Sequence, residues 1–414
     1  MKLVIKRQRF ESRRKSYLFS LMIILMLSHK FFYMWLQDDY MMGSLKYSDI
    51  SVILSVLFTG LVLLQYGWPR ENRIKWFVYA YAALTVISAL TAYMIYDQSI
   101  IRGIFAQRCQ LSYLILFLGV ERLFEKHVIS KNDVVRIIYL MCWIELFLCT
   151  IQYVYYLISG NLFLTVGAGS RYESARLYFD PGILLLVVFK SFSDLLSTKR
   201  KRIRNFVFIV WTAMFLMVIT QMRAMTLAFL VALVVGLVIW KSEWLKKILV
   251  AIIAIFVGTK ILSRYAIIQD LIKVLTDLNS DANYNVRNLG RAEFISEFAK
   301  SPITGRGYPS ISSSAAYNTL QGYLFVDNGI FGLIYSYGIL GLIWWVALWV
   351  TVMLKAWRVR KRQMAYFLYF VYYLVGLVTD FAWFWTATCS FSILVAMLLE
   401  EERELKDEAV NYNA

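Results

Sequence analysis

Residues 206–240 read FVFIVWTAMFLMVITQMRAMTLAFLVALVVGLVIW and are the clearest indication of the fold class. Their only charged residue is Arg223, near the middle. About 20 apolar residues of helix cross a hydrocarbon core, so this stretch predicts two consecutive transmembrane helices. A charge at bilayer depth costs at least a few kcal/mol. Arg223 therefore either faces a polar cavity or lies in a simple turn between the two helices.

The composition extends this interpretation to the whole chain. The 414 residues are 60% hydrophobic and only 17% charged, and the apolar residues form blocks rather than alternating. Average globular proteins contain fewer apolar residues than this. Because backbone groups in hydrocarbon must be hydrogen-bonded internally, apolar blocks of this length indicate helices. The sequence predicts an all-α polytopic membrane protein.

We predict about twelve transmembrane helices. Lys and Arg are concentrated in alternate connections, starting with the N-terminal tail, which orients both termini to the cytoplasm. The first apolar block follows a basic head and is not followed by a small-residue cleavage site, so it is predicted to be a helix rather than a signal peptide. The predicted helices are 17–36, 49–67, 76–96, 104–120, 137–158, 178–195, 205–221, 224–240, 248–262, 327–354, 364–378 and 381–399.

The predicted organisation has five parts. A basic cytoplasmic tail (1–16) precedes helices one to nine (17–262), and a large extracytoplasmic loop with short helices (263–326) precedes helices ten to twelve (327–399). The acidic end (400–414) is expected to be cytoplasmic and disordered. Within the large loop, residues 287–300 predict an amphipathic helix, because Phe294 and Phe298, like Arg287 and Arg291, are four residues apart.

Several function classes are disfavoured by the sequence. The net charge of +17 lies mostly in alternate loops, which serves membrane orientation rather than nucleic-acid binding. There is no CxxC pair and no Walker A motif. Residues 277–283 resemble the first half of a calcium loop, but Ala282 and Asn288 replace its glycine and bidentate glutamate. We therefore expect no metal and no cofactor.

Arginines on the predicted outer face run against the orientation rule. A guanidinium binds phosphate oxygens in a bidentate manner, so several arginines together would suit a diphosphate. The alternative for each is a side chain that reaches lipid headgroups or caps a helix. The outer arginines are Arg171, Arg176, Arg223, Arg287, Arg291 and Arg306.

Outer carboxylates are candidates for a general base. Asp180 and Asp327 come at predicted helix starts, where capping is the simpler explanation. Both histidines, His29 and His127, are placed away from the outer face by the predicted topology, which leaves carboxylates for this role. The outer carboxylates are Glu173, Asp180, Glu293, Glu297 and Asp327.

Four stretches together resemble the O-antigen polymerase family, the Wzy-type polysaccharide polymerases related to O-antigen ligases. Residues 171–182, RYESARLYFDPG, are similar to the family's outer arginine followed by an aromatic residue and a proline. Residues 220–228, TQMRAMTLA, resemble its arginine turn between two helices. Residues 291–307, which begin RAEF and end SPITGRG, and residues 327–341, which begin DNG and end YGILG, resemble its outer loop and next helix.

The resemblance implies a glycosyltransferase that builds O-antigen, capsule or exopolysaccharide at the bacterial plasma membrane. A growing glycan would pass from undecaprenyl diphosphate to a lipid-linked repeat unit, among membrane lipids, with the flippase and chain-length regulator of the same pathway as partners. Where ligases often carry histidine, this chain has Asp327, which favours a polymerase. A ligase, a flippase or transporter, and a scaffold remain alternatives. The implied diphosphate-binding residues are Arg171, Arg176, Arg223, Arg287 and Arg291, and the implied bases are Asp180, Glu173 and Asp327.

Overall fold

The computed structural model describes residues 2–34, 40–42, 45–69, 73–171, 174–179, 182–197, 201–240, 282–310, 328–377 and 385–413. The helices are α1 (Lys2–Ser28), α2 (Lys30–Tyr33), α3 (Tyr47–Tyr66), α4 (Lys75–Tyr96), α5 (Ile100–Ala106), α6 (Arg108–Glu125), α7 (Lys131–Ser159), α8 (Gly182–Ser197), α9 (Arg202–Met214), α10 (Arg223–Ile239), α11 (Ala282–Lys300), α12 (Gly329–Val359), α13 (Ala365–Gly376) and α14 (Trp385–Asn413). The short strands are β1 (Tyr40–Met42), β2 (Leu45–Lys46), β3 (Ala168–Arg171) and β4 (Ser174–Leu177), which form two antiparallel hairpins.

The protein is an all-α membrane protein. Large apolar side chains point outward from its helices; Leu64, Met94 and Ile158 are each more than 80% exposed, as expected for residues that face lipid. Among the described residues, five helical stretches are long and apolar enough to cross a membrane, and α5 with α6, bent by 60°, makes a sixth if the pair is one span. The five are Ser48–Tyr66, Lys75–Tyr96, Lys131–Ser159, Arg202–Ile219 and Gly329–Val359.

The predicted helices coincide with observed helices wherever the structure describes them. The fourth, predicted at 104–120, is instead two helices with a bend at Gln107. Two predicted segments correspond to the shorter apolar helices α10 and α13. The ninth, 248–262, and much of the large loop lie outside the described residues, so twelve crossings stays a prediction.

The two ends of the chain are helical. Helix α1 begins at Lys2, inside the stretch predicted as a basic tail. The expectation of disorder after residue 400 is wrong, because α14 continues to Asn413. Its carboxylates pair with basic residues distant in sequence, and the ion pairs stabilise this extension. They include Lys131 with Glu401 (2.6 Å), Lys355 with Glu402 (2.5 Å) and Arg362 with Glu404 (2.7 Å).

The interior joins the helices through aromatic and small polar contacts. Helix α6 packs between α3 and α14, and Ser51 Oγ lies 2.8 Å from the Tyr113 hydroxyl across the α3–α6 contact. The Trp349 ring of α12 lies 5.4 Å from that of Phe370 in α13 and 5.8 Å from that of Phe391 in α14. These contacts pack α12 against α13 and α14.

Candidate functional site

Helix α12 is broken at Gly338, whose φ of 64° and ψ of −157° are not helical. The segment 301–310, which follows α11, packs into this break. The Ile339 N–H donates to the Pro302 carbonyl (2.9 Å) and the Leu340 N–H to the Ile303 carbonyl (3.2 Å). Unpaired backbone groups are costly in a membrane, so these bonds make the break tolerable.

Close approach of the two backbones requires glycine on both sides. A Cβ at Gly338 would lie 2.3 Å from the Ile303 carbonyl oxygen, and a Cβ at Gly305 would lie 2.5 Å from the Tyr335 carbonyl oxygen. Gly305 also has a positive φ of 70°, which side chains other than glycine rarely adopt. The third and fourth motifs of the sequence therefore form one joint, which we call the α12 joint (residues 301–310 and 335–340).

A buried polar layer supports the joint from the side of α4, α5 and α6. The Gln98 side chain accepts from the Ser310 N–H (2.7 Å) and donates to the Tyr308 carbonyl (3.2 Å). Gln110 donates to the Tyr308 hydroxyl (3.1 Å), and the Tyr337 hydroxyl donates to Gln107 (2.7 Å). Sequence reasoning missed these residues; glutamines within or beside apolar segments were the available signal.

Helix α11 lies over the joint, which confirms the helix predicted at 287–300. Phe294 is buried, with its ring 5.3 Å from that of Tyr335, and Phe298 is half-buried. The Arg291 guanidinium lies 5.6 Å from the centre of the Phe331 ring and donates to the Asn288 side chain (3.2 Å).

A buried carboxylate links this helix to the joint. Glu297 of α11 is only 3% exposed, and its Oε2 lies 2.9 Å from Arg306 Nε. Its Oε1 accepts from the Lys300 ammonium. The backbone N–H of Arg306 donates to the Tyr335 carbonyl (2.7 Å), so the Arg306 end of this ion pair is held at the break of α12.

A second group of arginines is built on the β3–β4 hairpin. In the ladder between the two strands, Gly169 lies opposite Arg176, and Arg171 lies opposite Ser174. The Arg176 guanidinium donates through Nε to the Thr220 carbonyl (2.8 Å) and lies 4.5 Å over the Tyr178 ring.

The hairpin contacts the turn that precedes α10. Helix α9 ends in a π-helical turn (Phe215–Ile219), Gln221 has a positive φ of 49°, and α10 begins at Arg223. The Gln221 side chain donates to the Ala175 carbonyl in the hairpin (3.0 Å). The predicted turn between two helices is confirmed, and it places Arg223 at a helix N-terminus, where unpaired N–H groups and the helix dipole favour anions.

Arg287 and Arg291 of α11 form one arginine group, and Arg171, Arg176 and Arg223 form the other; the two groups lie on the same side of the bundle. The end of α10 packs closely against the start of α13: a Cβ added at Gly236 would lie only 3.0 Å from the Leu368 side chain. The start of α10, with Arg223, is therefore on the side where α13 ends. There the Leu377 carbonyl accepts from the Ile330 N–H (3.3 Å), next to the Phe331 ring that Arg291 contacts.

The predicted site residues are only partly placed. Arg176 lies beside the turn that begins α10, and Arg287 and Arg291 lie on α11, both partly buried. For Arg171 and Arg223 the structure describes the backbone, at the end of β3 and the start of α10. Glu173, Asp180 and Asp327 lie outside the described residues. In the described part of the chain, no group of three or more His, Cys, Asp or Glu residues could hold a metal ion.

Part of the chain matches a known protein family. No curated protein matches the chain. The model of the O-antigen ligase family matches residues 208–346, which include the arginine turn, α11 and the α12 joint, but not the β3–β4 hairpin. Over this segment, about a third of the chain, the protein is similar to the family of O-antigen polymerases and ligases.

Proposed function

We propose that this protein is a polymerase of cell-surface polysaccharide. It transfers a growing glycan from undecaprenyl diphosphate to a lipid-linked repeat unit at the outer face of the bacterial plasma membrane. A hydroxyl of the acceptor attacks the anomeric carbon of the donor, the carbon–oxygen bond to the diphosphate breaks, and undecaprenyl diphosphate leaves. The proton of the attacking hydroxyl passes to a carboxylate. Members of this family are glycosyltransferase-like enzymes that act on polyprenyl-linked glycans.

One observation carries the proposal: an arginine-bearing hairpin meets a helix N-terminus. Arg176 is bonded to Thr220, three residues before Arg223 opens α10. Negative charge grows on the leaving diphosphate during transfer, and preorganised cations and N–H groups stabilise such charge most effectively. We assign this role to Arg171, Arg176, Arg223 and Arg291, with Arg287 in support.

The proton acceptor is assigned among Asp180, Glu173 and Asp327. Asp180 closely follows the β3–β4 hairpin in sequence, and Asp327 precedes α12 by two residues. The base must approach the acceptor hydroxyl to about 3 Å. In sequence, Asp180 follows the hairpin that carries Arg176, and Asp327 comes four residues before Phe331, which Arg291 contacts; this supports both positions without ranking them.

The orientation in the membrane follows from the charge distribution. We propose that the ion pairs of α14 lie in the cytoplasm, with both termini, and that the arginine groups face outward. From Gly338 to Val359, α12 rises about 31 Å at 1.5 Å per residue, so its two ends can lie on opposite sides of a bilayer. In this arrangement the flippase and the chain-length regulator of the pathway are the expected partners.

A ligase is the second candidate, because the family match carries the description O-antigen ligase. A ligase uses the same kind of donor but a different acceptor. Purified protein supplied only with lipid-linked repeat units separates the two functions. A polymerase forms longer lipid-linked chains, whereas a ligase without its second acceptor leaves the units unchanged.

The arginine assignment is tested with Arg223→Ala and Arg291→Ala in the same reaction. Loss of one donor to the developing charge lowers rates about 10²- to 10³-fold in comparable sites, so we expect single repeat units to accumulate. Arg102→Ala is the matched control, since Arg102 is exposed near the start of α5, outside both arginine groups. Long chains formed at the normal rate by both variants would contradict the proposal.

A further inference from the structure

We propose that Glu297 is a positioning residue: its ion pair with Arg306 holds α11 over the α12 joint and thereby fixes the direction of Arg291. The placement of α11 is a structural inference that needs no enzyme activity. Its consequence for the reaction rests on the proposed function. Glu297 was one of the outer carboxylates considered as a base, and its surroundings indicate this different role.

Both carboxylate oxygens of Glu297 are already engaged. Oε2 lies 2.9 Å from Arg306 Nε, and Oε1 accepts from the Lys300 ammonium. With 3% of the residue exposed, little of the carboxylate is accessible to an acceptor hydroxyl. A general base must reach the proton that it removes, so this carboxylate is poorly placed for catalysis.

Four separate elements meet at this ion pair. Glu297 comes from α11, while Arg306 comes from the 301–310 segment and lies 5.9 Å from the Tyr96 ring of α4. The Tyr96 hydroxyl bonds to that of Tyr335 in the first half of α12. The Arg306 N–H is bonded to the Tyr335 carbonyl (2.7 Å). A buried pair with one partner removed leaves an uncompensated charge, so loss of the carboxylate would leave the Arg306 guanidinium unpaired where these elements meet.

Arg291 depends on the same helix. It lies six residues before Glu297, about 9 Å along the axis at 1.5 Å per residue, and between them Phe294 packs on Tyr335. Rotation or lifting of α11 would move the Arg291 guanidinium away from the Phe331 ring, which it now contacts at 5.6 Å. The pair therefore sets the geometry of an arginine that it does not touch.

The experiment measures the position of α11 directly. Spin labels on the unnatural amino acid p-acetylphenylalanine are placed at Leu289 and Ile343, which are 59% and 60% exposed, and their distance is measured by pulsed electron paramagnetic resonance in lipid nanodiscs. This label leaves the native cysteines in place. A reference pair at Leu64 and Ile343 spans α3 and α12 without α11.

For the α11 pair we expect a narrow distance distribution in the wild type and in Glu293→Gln. Glu293 is the matched control, because it is a carboxylate on the same helix, four residues before Glu297, and is only half-buried. In Glu297→Gln the distribution should at least double in width, while the reference pair stays unchanged. Combining Glu297→Gln with Arg306→Gln removes the uncompensated arginine and should narrow the distribution again. If Glu297→Gln alone fails to fold, the α11 distance is measured in the double variant instead.

Two results would overturn the positioning role. One is an unchanged α11 distance in Glu297→Gln; the other is equal broadening of both label pairs, which indicates general loosening. Glycan synthesis by the same variants tests the consequence separately. Normal chain length despite a displaced α11 contradicts the role of Arg291 in the proposed function and leaves the positioning of α11 supported.

Discussion

Replacing Gly338 with alanine should open the α12 joint. The added Cβ would lie 2.3 Å from the Ile303 carbonyl oxygen, and ordinary van der Waals contact begins at 3.4 Å. The two backbones must therefore separate by about 1 Å, which is enough to break hydrogen bonds of ordinary length. The conformation of Gly338, with φ of 64° and ψ of −157°, also belongs to a region that is essentially restricted to glycine.

The expected loss can be worked from these contacts. Three backbone hydrogen bonds cross the joint, at 2.7, 2.9 and 3.2 Å, and each contributes about 1 kcal/mol. Backbone strain at Gly338 adds about 1–3 kcal/mol. The joint should thus lose about 4–6 kcal/mol of local stability, which corresponds to about a 10³- to 10⁴-fold loss of protection of its amides from hydrogen exchange.

Hydrogen–deuterium exchange in nanodiscs, read by mass spectrometry on peptides covering 301–310 and 337–343, measures this loss. Gly60→Ala is the matched control, because nothing lies within 4 Å of the added Cβ in the middle of α3. Unchanged protection of both peptides in Gly338→Ala, with Gly60→Ala also unchanged, would refute the contribution that we assign to the joint.

Two further predictions concern the charged extension of α14. Arg362 forms ion pairs with three of its carboxylates, and such partly exposed pairs contribute about 1 kcal/mol to stability. Arg362→Ala should therefore destabilise the extension by about this amount and increase the rate of proteolysis after residue 400. Equal cleavage rates in the variant and the wild type would contradict this. Burial opposes ionisation of Glu402, but the hydrogen bond and charge of Lys355 outweigh it and hold the pKa of Glu402 below its ordinary value of 4.5. The folded state thus binds fewer protons than the unfolded state, so the contribution of Glu402 is present above pH 4.5 and is lost as the pH falls through the folded pKa. The thermal stability of the wild type should fall more steeply below pH 4.5 than that of Glu402→Gln, with Asp407→Asn as control; parallel curves would contradict the assignment.

Sequence reasoning was most successful where the signal is local. Blocks of apolar residues predict helices because each block must satisfy its own backbone in hydrocarbon. The turn before Arg223 was one of the two alternatives that the lone charge within residues 206–240 left open. The amphipathic spacing of Phe294 and Phe298 likewise identified α11.

The features that were not predicted depend on partners distant in sequence. Residues 400–413 are mostly polar, and the extension of α14 is stabilised by residues such as Lys131 and Arg362, which no local pattern connects to them. The break at Gly338 is equally hidden, because it lies inside an apolar run and its hydrogen-bond partners are near Ile303. The need for glycine at position 305 is hidden in the same way, because its close approach to the Tyr335 carbonyl depends on the fold.

The α12 joint has a consequence for how this part of the protein can diverge. Its bonds run from backbone to backbone, and a carbonyl such as that of Pro302 or Ile303 offers the same oxygen whatever side chain it carries. Side chains of the joint that make no other contact, such as that of the exposed Ile303, can therefore be exchanged with little loss, while the few positions without room for a Cβ cannot change. A saturation library across 301–310 and 335–340 should find such exposed positions tolerant, and should find the glycines and the residues with side-chain partners, such as Arg306 and Tyr335, intolerant. The protein could thus acquire new side chains beside the joint, and with them new contacts to a glycan, while the broken helix keeps its shape.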